Sequence, residues 1–136
     1  MANALFQKYV EACMTTGGPN LLTATIRCFL IDTGAYTVDL TAHQYLSSVP
    51  GGARIGSAVL SNKTVSARVF NADPISITGL SSPPTGEALL IVADTGTDAT
   101  SQLIAWIDTA TGLPTAAGIT QANISWDTGA NKIFKL

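Results

Sequence analysis

The chain has 136 residues, with 7 Lys and Arg against 9 Asp and Glu, a formal net charge of -2. Charged residues make up 12%, about half the usual share of roughly 25%. That balance excludes a basic nucleic-acid binder, because phosphate contacts need a clear excess of cations, and 46% hydrophobic content belongs to a folding chain rather than a disordered one.

The length predicts one domain with at most an appended arm, divided as 1–19 for the N-terminal helix or arm and 20–136 for the main domain. Leu5, Phe6, Tyr9, Val10 and Cys13 recur at helical spacing, Gln7, Lys8 and Glu11 lie elsewhere, and Gly17, Gly18 and Pro19 end the helix. Such a helix either lids its own sheet or docks on a neighbour. Leu5, Phe6, Tyr9 and Val10 are therefore the interface candidates. Lys8 and Glu11 fall where a secretory leader would need apolar residues. No apolar run approaches the roughly 18 residues of a membrane span.

Beyond Asn20 the pattern becomes strand-like. Residues 22–31 are rich in Thr and β-branched side chains and close on Asp32-Thr33-Gly34. Residues 41–49, with His43, Tyr45 and Leu46, predict one or two helical turns ended by Pro50-Gly51-Gly52. Residues 53–60 and 64–70 predict a strand pair joined by Ser61-Asn62-Lys63. Ile75-Ser76-Ile77-Thr78 alternates, and after a Ser/Pro/Gly loop at 81–86 the apolar run 87–93 predicts a central strand covered on both faces. Strands follow at 103–107, 119–126 and 133–136, with a second long loop at 109–118. Seven or eight short strands after one helix predict a mainly β fold, an antiparallel β-sandwich or barrel.

Asp-Thr-Gly begins at Asp32, Asp94 and Asp127. Around the first copy, Phe29-Leu30-Ile31-Asp32-Thr33-Gly34-Ala35 resembles the active-site strand of retroviral-type aspartic proteases, in which two aspartates share a proton across a water. Three copies exceed what such an enzyme needs, and Arg54-Ile55-Gly56-Ser57 lacks the residues that follow the glycine in that family's supporting segment. A turn accounts for every copy: Asp accepts backbone N–H groups and Gly allows positive φ. Asp32, Gly34, Asp94, Gly96, Asp127 and Gly129 are accordingly read as turn formers, and a dimeric protease using Asp32 is the remote alternative.

Other chemistry has little support. His43 is the sole histidine and no Gly-x-Ser-x-Gly elbow occurs. Cys13 and Cys28 form no CxxC pair and read as small buried hydrophobes. Asp94-Thr95-Gly96-Thr97-Asp98 lacks the remaining ligands of a calcium loop. Trp106 and Trp126 are read as core or interface residues, and a sugar-stacking role would need them exposed. No catalytic residue, cofactor or metal is expected.

The segments IDTGAYT, YLSSVPGGARIGSAVLSNKTV, VFNADPISIT, DTGTDATSQLIAWIDTATGLP and ISWDTGANKIFKL resemble a small protein widespread in tailed bacteriophages. The resemblance covers most of the chain and implies a non-enzymatic virion structural protein, made in the host cytoplasm. A single β-domain with a docking arm points to a capsid decoration (cement) protein, with a tail or baseplate component as the second reading. The expected partners are further copies of the chain, in a homo-oligomer expected to be a trimer, and the phage major capsid protein or another virion protein. Neither nucleic acid nor a membrane is expected. Low charge fits this reading, since surfaces covered by neighbours are poor in Lys, Glu and Asp. The loops 81–86 and 109–118 are further contact candidates.

Overall fold

A computed structural model describes residues 4–15, 17–130 and 132–136. The fold is mainly β, with antiparallel sheets and one helix. The elements are β1 (Ala4–Leu5), α1 (Gln7–Met14), β2 (Ile26–Ile31), β3 (Arg54–Val59), β4 (Thr64–Ser66), β5 (Val69–Asn71), β6 (Ile75–Ile77), β7 (Ala88–Ala93), β8 (Gln102–Ile107), β9 (Ala122–Ile124) and β10 (Phe134–Lys135). They form a five-stranded sheet in the order β1-β8-β7-β2-β3, a three-stranded sheet β10-β5-β4, and the pair β6-β9.

The apolar run at 87–93 becomes β7, buried along its whole length between β2 and β8. On β2, Ile26, Cys28 and Leu30 are buried while Arg27 and Phe29 are half-buried, the period-2 signature of a strand with one fully covered face. That face is covered by β6 and the segment after it. Gly56 pairs with Leu30 across β2 and β3, and a Cβ there would lie 2.7 Å from both Ile77 and Leu80. The absent side chain lets the layers close in a sandwich-like arrangement.

The N-terminus departs from the helical reading. Leu5 lies in β1 rather than on the helix, with Ala4 opposite Trp106 and Leu5 opposite Ala105, and the Phe6 N–H donates to the Ile104 carbonyl at 2.9 Å. Phe6 and Tyr9 are buried in the same core as the strands, and the Tyr9 ring meets the edge of Phe134 at 6.2 Å. Residues 4–14 are thus a sheet edge and lid packed on the core.

The proposed pairing of 53–60 with 64–70 is also corrected. β3 pairs with β2, and β4 pairs with β5. Leu60 N–H donates to the Ile26 carbonyl and the Lys63 ammonium to the Ala24 carbonyl, so the chain leaves the large sheet here instead of folding back along β3. The hairpin turn falls at Ala67-Arg68, with φ of 51° and 67°, inside what sequence read as one strand. Positive φ at both central positions is the geometry normally filled by Asn-Gly, and neither Ala nor Arg signals it. Asn20 explains a third difference: its side-chain oxygen accepts the Leu22 and Thr23 N–H groups, making a turn that delays β2 to Ile26. Residues 41–49 contribute a single short 3₁₀ turn, Leu46–Ser48, and 119–126 only the three residues of β9.

Candidate functional site

The three Asp-Thr-Gly segments adopt one local geometry. Oδ1 of Asp32, Asp94 and Asp127 accepts the N–H of Gly34, Gly96 and Gly129 at 2.9, 2.8 and 2.9 Å. The glycines serve for different reasons. Gly96 has φ +87°, whereas a Cβ on Gly34 would press to 3.1 Å from Oδ1 of Asp32, and one on Gly129 to 3.2 and 3.3 Å from Oδ2 and Oδ1 of Asp127. Only one of the three thus needs the positive φ expected from sequence.

Asp32 follows the last residue of β2 and Asp94 the last residue of β7. These strands run antiparallel with Ile26 opposite Ala93 and Ile31 opposite Ala88. The two carboxylates therefore sit at opposite ends of strands six residues long, about 20 Å apart at the usual rise per residue. They do not form a shared-proton pair within one chain. Beside Asp32, the Thr33 N–H donates to Oε2 of Glu87 at 3.0 Å, so this end is built as a turn braced by a second carboxylate.

Asp94 carries more of the fold. Its Oδ1 caps Gly96, and its Oδ2 accepts the Arg27 Nε–H at 2.8 Å, while Arg27 also reaches Ser57 at 3.2 Å. The Gly96 N–H first, and then Arg27, hold the Asp94 carboxyl below its usual range. A carboxylate stabilised in the folded state contributes above the unfolded pKa, and that contribution is lost as pH falls through the folded value. Asp94→Ala is expected to cost about 2 kcal/mol at neutral pH, the scale of hydrogen bonds to a charged group. Urea unfolding from pH 7 down to about 3 should show the variant losing less stability on acidification than the parent.

The lone histidine is a structural acceptor. The Asp39 N–H can only donate, so its 3.3 Å contact makes His43 Nδ1 an acceptor, and the Tyr36 hydroxyl donates to the same nitrogen at 2.7 Å. Burial, followed by the nearby Asp39, pushes the Tyr36 phenol up to about 12, which keeps it a donor. The Tyr36 ring also lies 5.8 Å from that of Trp106. Together they wall a cleft of about 370 Å³, whose rim carries Thr33, Val38, Glu87 and Asp108.

Trp106 and Trp126 are both buried, and the Trp126 indole N–H donates to the Asp73 carbonyl at 3.0 Å. The exposure a sugar platform needs is not present at either. Cys28 is buried and Cys13 half-buried, and both are free thiols. Among the described residues no group of His, Cys, Asp and Glu is arranged to hold a metal ion, and no helix is long and apolar enough to cross a membrane.

Of the four interface candidates, Phe6 and Tyr9 are buried in the core of the chain itself, and Leu5 and Val10 are half-buried against that core. The two contact loops are tied to each other. Thr115 is buried, its N–H donates to the Gly86 carbonyl at 2.8 Å and its hydroxyl accepts the Gly86 N–H at 2.9 Å. The Gly118 N–H reaches the Pro83 carbonyl at 2.9 Å.

Among the described residues, the large hydrophobics that face outward are Met14, Leu22, Val59, Val65 and Leu136. Val65 and Leu136 line an apolar groove of about 350 Å³ with Tyr9, Leu21 and Phe70, and Arg68 stands at it. Sequence reasoning missed this groove because β4 was assigned to the wrong partner. The available signal was Val65 between Thr64 and Ser66, an apolar residue in a short strand free of charge. Compared with known proteins, the chain matches no protein-family model and no curated protein.

Proposed function

We propose that this chain is a non-enzymatic structural protein of a tailed-bacteriophage virion, a capsid decoration (cement) protein that assembles as a homo-oligomer on the major capsid protein. The observation that carries the reading is an outward apolar groove beside an open, uncharged sheet edge in a chain with only 12% charged residues. An open edge and a contiguous apolar patch are surfaces that proteins normally keep covered. The family resemblance along most of the sequence supplies the virion setting.

A protein that binds only the assembled shell stabilises it by mass action. The expected result is co-sedimentation of the purified chain with expanded heads, and a higher temperature of DNA release from heads that carry it. Binding to tails and not heads would move the assignment to a tail or baseplate component. A chain that binds neither, at any concentration, would overturn the virion reading.

A further inference from the structure

We propose that β3 is a docking edge for a second copy of the chain: two β3 strands pair antiparallel about a two-fold axis and join two five-stranded sheets into one. The proposal rests on the homo-oligomeric reading above and names its contact.

The groups left to be satisfied lie on the main chain. β3 closes the strand order of its sheet. The Leu60 N–H donates to the Ile26 carbonyl, Ala58 stands opposite Cys28, and Gly56 opposite Leu30. Main-chain groups alternate in direction along an antiparallel strand. Leu60, Ala58 and Gly56 therefore turn theirs to β2, and Ser57 and Val59 turn theirs away. Among the described residues no other segment bonds to the N–H or carbonyl of either. Solvent reaches this strand. Gly56 is only half-buried although Ile77 and Leu80 fill the side its Cβ would occupy, so what it exposes is backbone.

Sheet edges are normally kept short, or guarded by charge or proline. Here β1, β4, β6, β9 and β10 are two or three residues long. β3 has six, with no proline and no charge after Arg54, and its Val59 is 47% exposed. The cations beside it are already engaged. Arg27 holds Asp94 and Ser57; Arg54 holds Asp98 and the carbonyls of Leu46 and Val49. Lys63 is turned back onto the Ala24 carbonyl. An approaching strand meets hydrogen-bonding groups and a β-branched side chain rather than an uncommitted guanidinium.

The occupant follows from matching. It must bring an uncharged strand of similar length with unpaired groups of its own, and among the described residues the edge that does so is β3 itself. Turned about a two-fold axis at Ala58, Ser57 of one copy faces Val59 of the other. Each outward N–H then meets an outward carbonyl, in both directions. The pairing stops short of Ile55, the extra residue where the β2–β3 register shifts. Such a contact is isologous and closes with two copies, in place of the trimer expected from sequence.

The test is sedimentation equilibrium of the full chain over a dilution series, with residue-resolved amide exchange and melting temperatures. The parent is expected to be a dimer that dissociates on dilution, and exchange at Ser57 and Val59 should slow as concentration rises. Ser57→Pro removes an outward donor and blocks the pairing. It should weaken the dimer by about tenfold or more and still fold. Ala58→Pro, which deletes a bond to β2, should melt far below it. Val59→Lys, at an exposed position, should fold like the parent and weaken the dimer similarly. If Ser57→Pro unfolds as badly as Ala58→Pro, Ser57 faces β2 and the contact is overturned. An oligomer indifferent to Ser57→Pro and Val59→Lys also overturns it, and leaves the homo-oligomeric reading standing. Amides of Ser57 and Val59 protected only on heads would make β3 a docking strand for the capsid protein and overturn self-pairing. A chain monomeric at every concentration and on heads overturns both the contact and the homo-oligomeric reading.

Discussion

Replacing Phe6 by alanine is expected to destabilise the isolated subunit by about 3–5 kcal/mol, the range for truncating a fully buried aromatic. Phe6 is 0% exposed and sits where β1 hands over to α1, with its N–H bonded to the Ile104 carbonyl. Removing the ring leaves a cavity under the lid, beside Tyr9, which is itself buried in the same cluster. Domains of this size hold about 5–15 kcal/mol in total, so the loss would bring a good fraction of molecules to the edge of unfolding. The measurement is the urea midpoint, with an unchanged slope showing that the denatured state is the same. Val10→Ala, on the half-buried side of the helix, should cost about 1 kcal/mol or less. If the N-terminal segment were a docking arm the pattern would invert: Phe6→Ala would melt like the parent and fail only in assembly.

The legibility of this fold in its sequence depended on how each strand buries itself. β7 is buried on both faces and announces itself as an unbroken apolar run; β6 is covered on one face and shows as Ile75-Ser76-Ile77. The aspartate turns were legible because Asp closes its own turn through its side chain, a contact spanning two residues. Strand partners were not legible. Whether β3 joins β2 or β4 depends on tertiary contacts such as Ile77 and Leu80 lying over Gly56, which no local pattern encodes. The turn at Ala67-Arg68 uses residues that carry no turn signal, so it was read as strand. Leu5 and Phe6 fit a helical face as well as a strand edge, because the i, i+3, i+4 pattern of a short segment cannot tell the two apart. The groove at Val65 follows from these pairings and could not be seen before them.

Gly112→Ala is expected to be the most damaging single-methyl change in the outer loops, costing about 2–4 kcal/mol from steric overpacking and backbone strain together. Gly112 has φ +107°, and a Cβ there would lie 2.3 Å from the Asn123 carbonyl oxygen and 3.2 Å from Ile124. The near neighbour is backbone, so no rotamer change relieves it. The flanking residues cannot yield cheaply either, because Thr111 and Ser125 exchange two backbone hydrogen bonds of 3.0 and 3.1 Å. Pushing them apart would loosen Trp126, whose indole N–H is held by Asp73. Gly118→Ala is the matched control. Its φ is +78° but nothing lies within 4 Å of the added methyl, so it should cost only the conformational strain, about 1 kcal/mol. Denaturant midpoints of the two variants separate contact from strain, and amide exchange at Ser125 reports whether the bridge opens. Equal losses at the two positions would mean that the 109–118 loop yields as a unit. A much larger loss at Gly112 would show that this loop is fastened to the domain, and that any surface it offers a neighbour is presented rigidly.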